Sequence, residues 1–191
     1  MNDNEIIEVS KNNPKEYEKI YKKYSTKIFN YFWYRTGHNR DLSEDLMQET
    51  FIKAFIARSK YKTSGYSYLT YLITIAHNVL VDYYKKPKNI SIEDLPKDIP
   101  YEITEELEKK SDAEALWRAI QNLPQNNRDA LLMFYQEDMP VRDIAKVLNT
   151  TENAVKLNLS RTRKKLSEHP YLGDIRGFSD TKKTYTKPVF L

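Results

Sequence analysis

No cysteine occurs among the 191 residues. Disulfides, thiolate metal sites and a cysteine nucleophile are excluded together, and the absence fits a reducing compartment. Glycine is nearly as scarce: Gly37, Gly65, Gly173 and Gly177 cannot assemble either a GxGxxG turn or a phosphate-binding P-loop. The three histidines, His38, His77 and His169, stand far apart with no ligand spacing around them. No window offers the roughly 18 consecutive apolar residues of a membrane span. The first residues, MNDNEIIEVSKNNPKE, lack the basic start and apolar run of a secretion signal. The sequence therefore points to a cytoplasmic protein without membrane insertion, and it shows no catalytic constellation, metal site or cofactor motif. No strand-rich region and no internal repeat appears.

What is present is charge and apolar surface at helical spacing. Hydrophobic residues make up 40% of the chain, charged residues 30%, and the formal net charge is only +4. This length supports one medium domain or two small ones. With so small a net charge, any nucleic-acid surface must arise from uneven placement.

From Pro14 to Arg35, Tyr17, Ile20, Tyr21, Tyr24, Ile28, Tyr31 and Phe32 recur at helical spacing, and Gly37 supplies a stop. A second helix is expected from Asp41, with Asp41 and Glu44 as an acidic variant of a capping box, to about Arg58. Gly65 marks a turn. A third helix, SYLTYLITIAHNVLVDYYKK, runs from Ser67 to Lys86 and ends at Pro87, which disfavours helix at the residue before it. Tyr68, Leu72, Ile75, Ala76, Val79 and Tyr83 make its core face, leaving Tyr71, Asn78 and Lys85 for other work.

Between Ser91 and Glu108 seven acidic residues face the single base Lys97, with Pro96 and Pro100 among them. That composition reads as a linker. Helical periodicity resumes with Ala115, Leu116, Ala119, Ile120 and Leu123, and Pro124 can open a further helix through Tyr135. Then VRDIAKVLNTTENAVKLNLSRTRKKL gives a short helix, about Pro140 to Leu148, a polar break, and a longer helix, about Glu152 to Leu166. This is the sequence form of a helix-turn-helix. The segment from His169 onward lacks periodicity and reads as a tail.

Chemistry concentrates in three places. On the last helix Val155, Leu159, Thr162 and Leu166 share one face, while Asn153, Leu157, Ser160, Arg161 and Lys164 share the opposite one, flanked by Lys156 and Arg163. From Arg142 to Lys165 seven basic residues stand against two acidic ones, which suits DNA phosphates and guanine edges. On the second helix Asp41, Glu44, Asp45, Gln48 and Glu49 form a stripe that repels DNA and fits a basic protein partner. The stretch SKYKTSGYSYLTYL interleaves Lys60 and Lys62 with four tyrosines and small polar residues, a mixture suited to single-stranded DNA, where rings stack on exposed bases. Each has an ordinary counterpart: a solvated cationic helix, a solvated acidic face, and buried aromatics.

Taken in order, DLSEDLMQETFIKAF, SYLTYLITIAHNVLVDYYKK and LPQNNRDALLMFYQEDMPVRDIAKVLNTTENAVKLNLSRTRKKL resemble the two regions of extracytoplasmic-function sigma factors of the sigma-70 family. The resemblance covers roughly Tyr17 to Lys86 and Ala113 to Ser167. It implies an all-α chain of two small helical domains: a region 2-like bundle over 1–88, an acidic linker over 89–111, a region 4-like helix-turn-helix domain over 112–168, and a tail over 169–191.

By the same resemblance, Asp41, Glu44, Asp45, Gln48 and Glu49 would bind the clamp helices of core RNA polymerase. Lys62, Ser64, Tyr66, Tyr68, Tyr71 and Asn78 would capture an unstacked base of the minus-ten promoter element. Asn153, Lys156, Leu157, Ser160 and Arg161 would read the minus-thirty-five element in the major groove, with Arg163 and Lys164 on phosphates. An anti-sigma factor is implied as a further partner, and the acidic linker would run near the polymerase RNA path. Tyr71 stands where the family usually has Trp, His77 where it has Arg, Asn149 where the turn often has Gly, and Leu157 and Asn158 where Ser and Arg are frequent. Asn tolerates a left-handed backbone, so the turn is expected to survive. The activity expected is non-enzymatic promoter recognition. Two other readings fit parts of the chain: a stand-alone helix-turn-helix regulator, or a helical adaptor whose main surface is the acidic stripe.

Overall fold

The computed structural model describes residues 1–85 and 116–167; the acidic linker and the C-terminal tail lie outside the described residues. Its contacts separate into two compact units, Met1–Lys88 and Asn89–Leu191. Among the described residues every regular element is helical.

The first unit begins with a helix the periodicity does not announce, α1 (Asp3–Asn12). Asn2 and Glu5 cap it reciprocally: the Asn2 side chain accepts from the Glu5 N–H at 2.9 Å, and the Glu5 carboxylate accepts from the Asn2 N–H at 3.0 Å. Ile6, Ile7 and Ser10 face inward. The expected helix from Pro14 divides in two, because Pro14–Tyr17 is a 3₁₀ turn with proline in its first turn and α2 spans Glu18–Trp33.

Gly37 and His38 both take positive φ, 67° and 62°, and deliver the chain to α3 (Arg40–Ala57). The cap here is Asn39, whose side chain accepts from the Leu42 N–H at 3.0 Å. This corrects the expected Asp41 and Glu44 box: Asp41 already lies in the first turn, and Glu44 pairs with Arg40 at 2.9 Å. A second 3₁₀ turn, Arg58–Lys60, leads into the loop around Gly65 (φ 70°), and α4 spans Tyr68–Lys85.

Ile20, Ile28, Tyr31 and Phe32 of α2 meet Leu46, Phe51 and Ala54 of α3 and Leu72, Ile73, Ala76, Val79 and Leu80 of α4 in one core. Burying each large apolar side chain contributes about 1.5–3 kcal/mol. Ile75 and Tyr83, assigned to this core from spacing, are half-buried, and Ile73 and Leu80 fill the places instead.

In the second unit residues 116–121 form a helical stretch, α5, followed by α6 (Gln125–Tyr135), α7 (Val141–Val147) and α8 (Glu152–Ser167). Ile120, Ala130, Leu131, Met133, Ile144, Val155 and Leu159 are its most deeply buried apolar residues. Arg128 donates to the Gln121 carbonyl at 3.0 Å and ties α6 to α5. The turn between α7 and α8 places Asn149 at φ 50°, with the Thr150 N–H donating to the Ala145 carbonyl at 2.9 Å. Thr151 then caps α8 by accepting from the Ala154 N–H at 3.2 Å. Asparagine thus holds the left-handed position that glycine would fill.

Candidate nucleic-acid and partner surfaces

The acidic face of α3 lies opposite the core. Leu46, Met47, Thr50 and Ala54 are buried, while Asp41, Asp45 and Gln48 are exposed and Glu44 and Glu49 half-buried. Two of the acids are already engaged on their own helix, Glu44 with Arg40 and Glu49 with Lys53 at 2.8 Å. Asp41 also acts electrostatically on Arg40, while Asp45 stands exposed farther along the stripe. Sequence reasoning missed that this face continues as apolar surface. Ile52 and Ile56 follow Asp45 and Gln48 along the same side and are 58% and 68% exposed. Between α2 and α3 a cleft of about 370 Å³ borders the stripe, lined by Tyr21, Thr26, Phe29, Glu44, Met47 and Gln48. An acidic start, an apolar end and a neighbouring cleft suit a basic partner that also offers apolar surface.

The second surface surrounds the loop before α4. Lys62, Ser64 and Asn78 are exposed; Tyr66 and Tyr71 are half-buried. Tyr71, Asn78 and Lys85 are spaced by seven residues, about two helical turns, and so line one side of α4. Tyr68 does not belong here. It is 1% exposed and its hydroxyl lies 3.2 Å from that of Tyr17, so its ring is core and supports the surface from beneath.

Tyr61, one of the four tyrosines of that stretch but not among the residues assigned to base capture, packs against both Tyr68 and Tyr71, with ring centroids 5.1 and 5.0 Å apart. Tyr68 and Tyr71 themselves lie 5.4 Å apart. Burial pushes all these phenols up, Tyr17 to about 12, so the cluster stays protonated and neutral at ordinary pH. Neutral rings beside Lys62 can approach a nucleic-acid strand without charge repulsion. His77, one residue before Asn78, is turned inward, its Nδ1 3.2 Å from the Tyr31 hydroxyl.

The third surface is the outer side of α8. Val155, Leu159, Thr162 and Leu166 are buried as their spacing predicts, and Asn153, Lys156, Leu157, Ser160, Arg161 and Lys164 are exposed. Leu157, at 50% exposure, is an apolar residue held in solvent among cations. Arg163 sits half-buried with its Nε donating to the Leu159 carbonyl at 3.1 Å, which places it at the edge of this face. Asn158 points back toward α6, bonding the Asn126 carbonyl and the Thr162 hydroxyl, and is not part of the outer face. Among the described residues no group of acidic or histidine side chains could hold a metal ion. No described helix is long and apolar enough to cross a membrane.

Comparison with known proteins matches these units separately. Residues 20–89 match the model of sigma-70 region 2, and residues 113–166 that of sigma-70 region 4. Over 155 residues the chain is 28% identical to the ECF RNA polymerase sigma factor SigM of Bacillus subtilis, covering 78% of this chain and 91% of that one. Over 159 residues it is 26% identical to the RNA polymerase sigma factor YlaC of the same organism, covering 80% and 90%. A chain of the solved RsbN–BldN complex is 21% identical, with a TM-score of 0.38 over 85% of this chain and 96% of that one. With both regions matched in order, each on a helical unit of its own, the chain belongs to the sigma-70 family as an extracytoplasmic-function sigma factor, a promoter-recognising factor of transcription initiation.

Proposed function

We propose that the three exposed faces divide the work of initiation among themselves. The α3 face, from Asp41, Glu44 and Asp45 through Gln48 and Glu49 to Ile52 and Ile56, docks on a basic helical element of core RNA polymerase. The loop with Lys62, Ser64 and Tyr66, together with Tyr71 and Asn78 on α4, captures a base of the minus-ten element as the duplex opens. Asn153, Lys156, Leu157, Ser160 and Arg161 on α8 read the minus-thirty-five element in the major groove, while Arg163 and Lys164 neutralise phosphates. The observation that carries this reading is the segregation of charge: an exposed acidic face on one unit and an exposed basic face on the other.

Strand opening is offset by capture. Unstacking a base costs a few kcal/mol, and stacking it on an aromatic side chain returns about 1–3 kcal/mol. One captured base thus roughly balances one opened step, and this chain need make or break no bond. The working boundaries are a region 2 domain over 1–88, a connector over 89–111, a region 4 domain over 112–168 and a tail over 169–191, acting in the cytoplasm. An anti-sigma factor that covers the α3 and α4 faces would hold the chain inactive.

The test separates opening from binding. With polymerase bound to a promoter mapped by run-off transcription, Asn78→Ala and Tyr71→Ala should reduce permanganate reactivity of the opened thymines while leaving duplex affinity within about twofold. An equal loss of duplex affinity would contradict the assignment of these residues to the opened strand.

A further inference from the structure

The helix α1 precedes the residues that match the region 2 family model, which begins at residue 20. It is nonetheless built into the first unit at three points. Asp3 pairs with Lys23 at 2.5 Å and accepts from the Tyr24 hydroxyl, fixing the start of α1 to α2. Ser10, fully buried, lends its carbonyl to the Arg58 Nε at 3.2 Å. Arg58 also donates to the Phe55 carbonyl at 2.7 Å and lies 3.7 Å over the Phe55 ring. Asn4, on the exposed side, accepts from the Tyr61 hydroxyl at 3.3 Å.

These contacts converge on the aromatic cluster from both ends. The Phe55 ring packs edge-on against Tyr17 at 5.2 Å, and Tyr17 meets Tyr68 through their hydroxyls. From the other end Asn4 holds Tyr61, whose ring packs on Tyr71. The loop residues 61–66 otherwise have no regular secondary structure, so the direction of Tyr61 depends on what grips its side chain. Rings held by neighbours on two sides lose less rotamer freedom when a base arrives, which favours binding without any new contact.

We propose that α1 is a brace for base capture. Asn4, Arg58 and Tyr61 act as positioning residues that hold Tyr71 in its receptive pose during promoter opening, and none of them need touch DNA. The inference rests on the assignment of Tyr71 to the opened strand.

The experiment uses the full chain with core polymerase on the mapped promoter, reading permanganate reactivity, duplex affinity and thermal unfolding for each variant. Tyr61→Ala removes the ring contact and should lower the extent of opening by about tenfold, with polymerase and duplex affinity within twofold of the parent. Asn4→Ala and Tyr61→Phe each remove the same bond and should each lower opening by about threefold, the scale of one neutral hydrogen bond. Their double variant should be no worse than either single one, since both changes delete one interaction. Asn4 is exposed, so this pair reads positioning without a folding defect.

Additive losses in the double variant, or normal opening in Tyr61→Ala while Tyr71→Ala is defective, would overturn the brace and leave base capture standing. Normal opening in Tyr71→Ala would remove base capture itself, and the brace with it.

Discussion

Removing cations one at a time from the outer face of α8 should change how binding responds to salt as well as how tight it is. Of the cations there, Lys164 is exposed and Arg163 lies half-buried at the edge, and these two are the ones assigned to phosphates. Each phosphate neutralised releases condensed counterions, so the logarithm of affinity falls against the logarithm of salt with a slope of about −0.9 per contact. These two phosphate contacts together account for a slope of about −1.8. Arg163→Ala or Lys164→Ala should therefore flatten the slope measured for the polymerase–promoter complex by about 0.9 each, or about 3.5-fold less loss of affinity between 50 and 200 mM salt.

Leu157→Ala on the same face removes apolar contact and no charge. It should weaken binding to the preferred promoter and leave the slope as it was. Fluorescence anisotropy of a labelled promoter fragment across a KCl series measures both quantities. A slope unchanged by Arg163→Ala and by Lys164→Ala would refute the assignment of these two cations to phosphates.

Asp45→Lys reverses an exposed charge in the α3 stripe and should weaken association with core polymerase by about tenfold at low salt, the scale of turning one attractive surface pair into a repulsive one; surface plasmon resonance reads it. Ile56→Ser should weaken the same association by several-fold with an unchanged melting temperature, because the side chain is 68% exposed and supports no core. Asn149→Val puts a β-branched residue at φ 50° and should destabilise the second unit by about 1–2 kcal/mol in denaturant titration, whereas Asn149→Gly should be tolerated. Tyr17 is neutral when protonated, and burial raises it from 10.0 to about 12. Folding holds that proton more tightly, so the stabilisation is complete below pH 10 and is lost as pH rises from 10 to 12; circular dichroism followed with phenolate absorbance checks the window.

The sequence was most legible where one apolar face repeats at helical spacing against one core. The buried row Val155, Leu159, Thr162 and Leu166 follows from spacing alone, and so do α2 and α4 to within a few residues. It was least legible where local chemistry offers two solutions. Asn39 and Asp41 are both good caps, and the left-handed pair Gly37 and His38 selects the earlier one. α3 has apolar residues on two sides, so periodicity cannot separate Met47 in the core from Ile52 and Ile56 in solvent. Composition groups Tyr61, Tyr66, Tyr68 and Tyr71 as one aromatic set, yet Tyr68 is core and Tyr61 is the link between α1 and the loop. α1 itself offers few inward apolar residues, chiefly Ile6 and Ile7, and its clearest signal was the reciprocal cap of Asn2 and Glu5.

The most direct measurement is run-off transcription with purified core polymerase carrying no other sigma subunit. Addition of this chain alone should start transcripts at defined positions on template DNA, and Asp45→Lys should lower their yield. Absence of specific initiation, with the chain folded and no inhibitor bound, would contradict the claim that one polypeptide joins polymerase to both promoter elements.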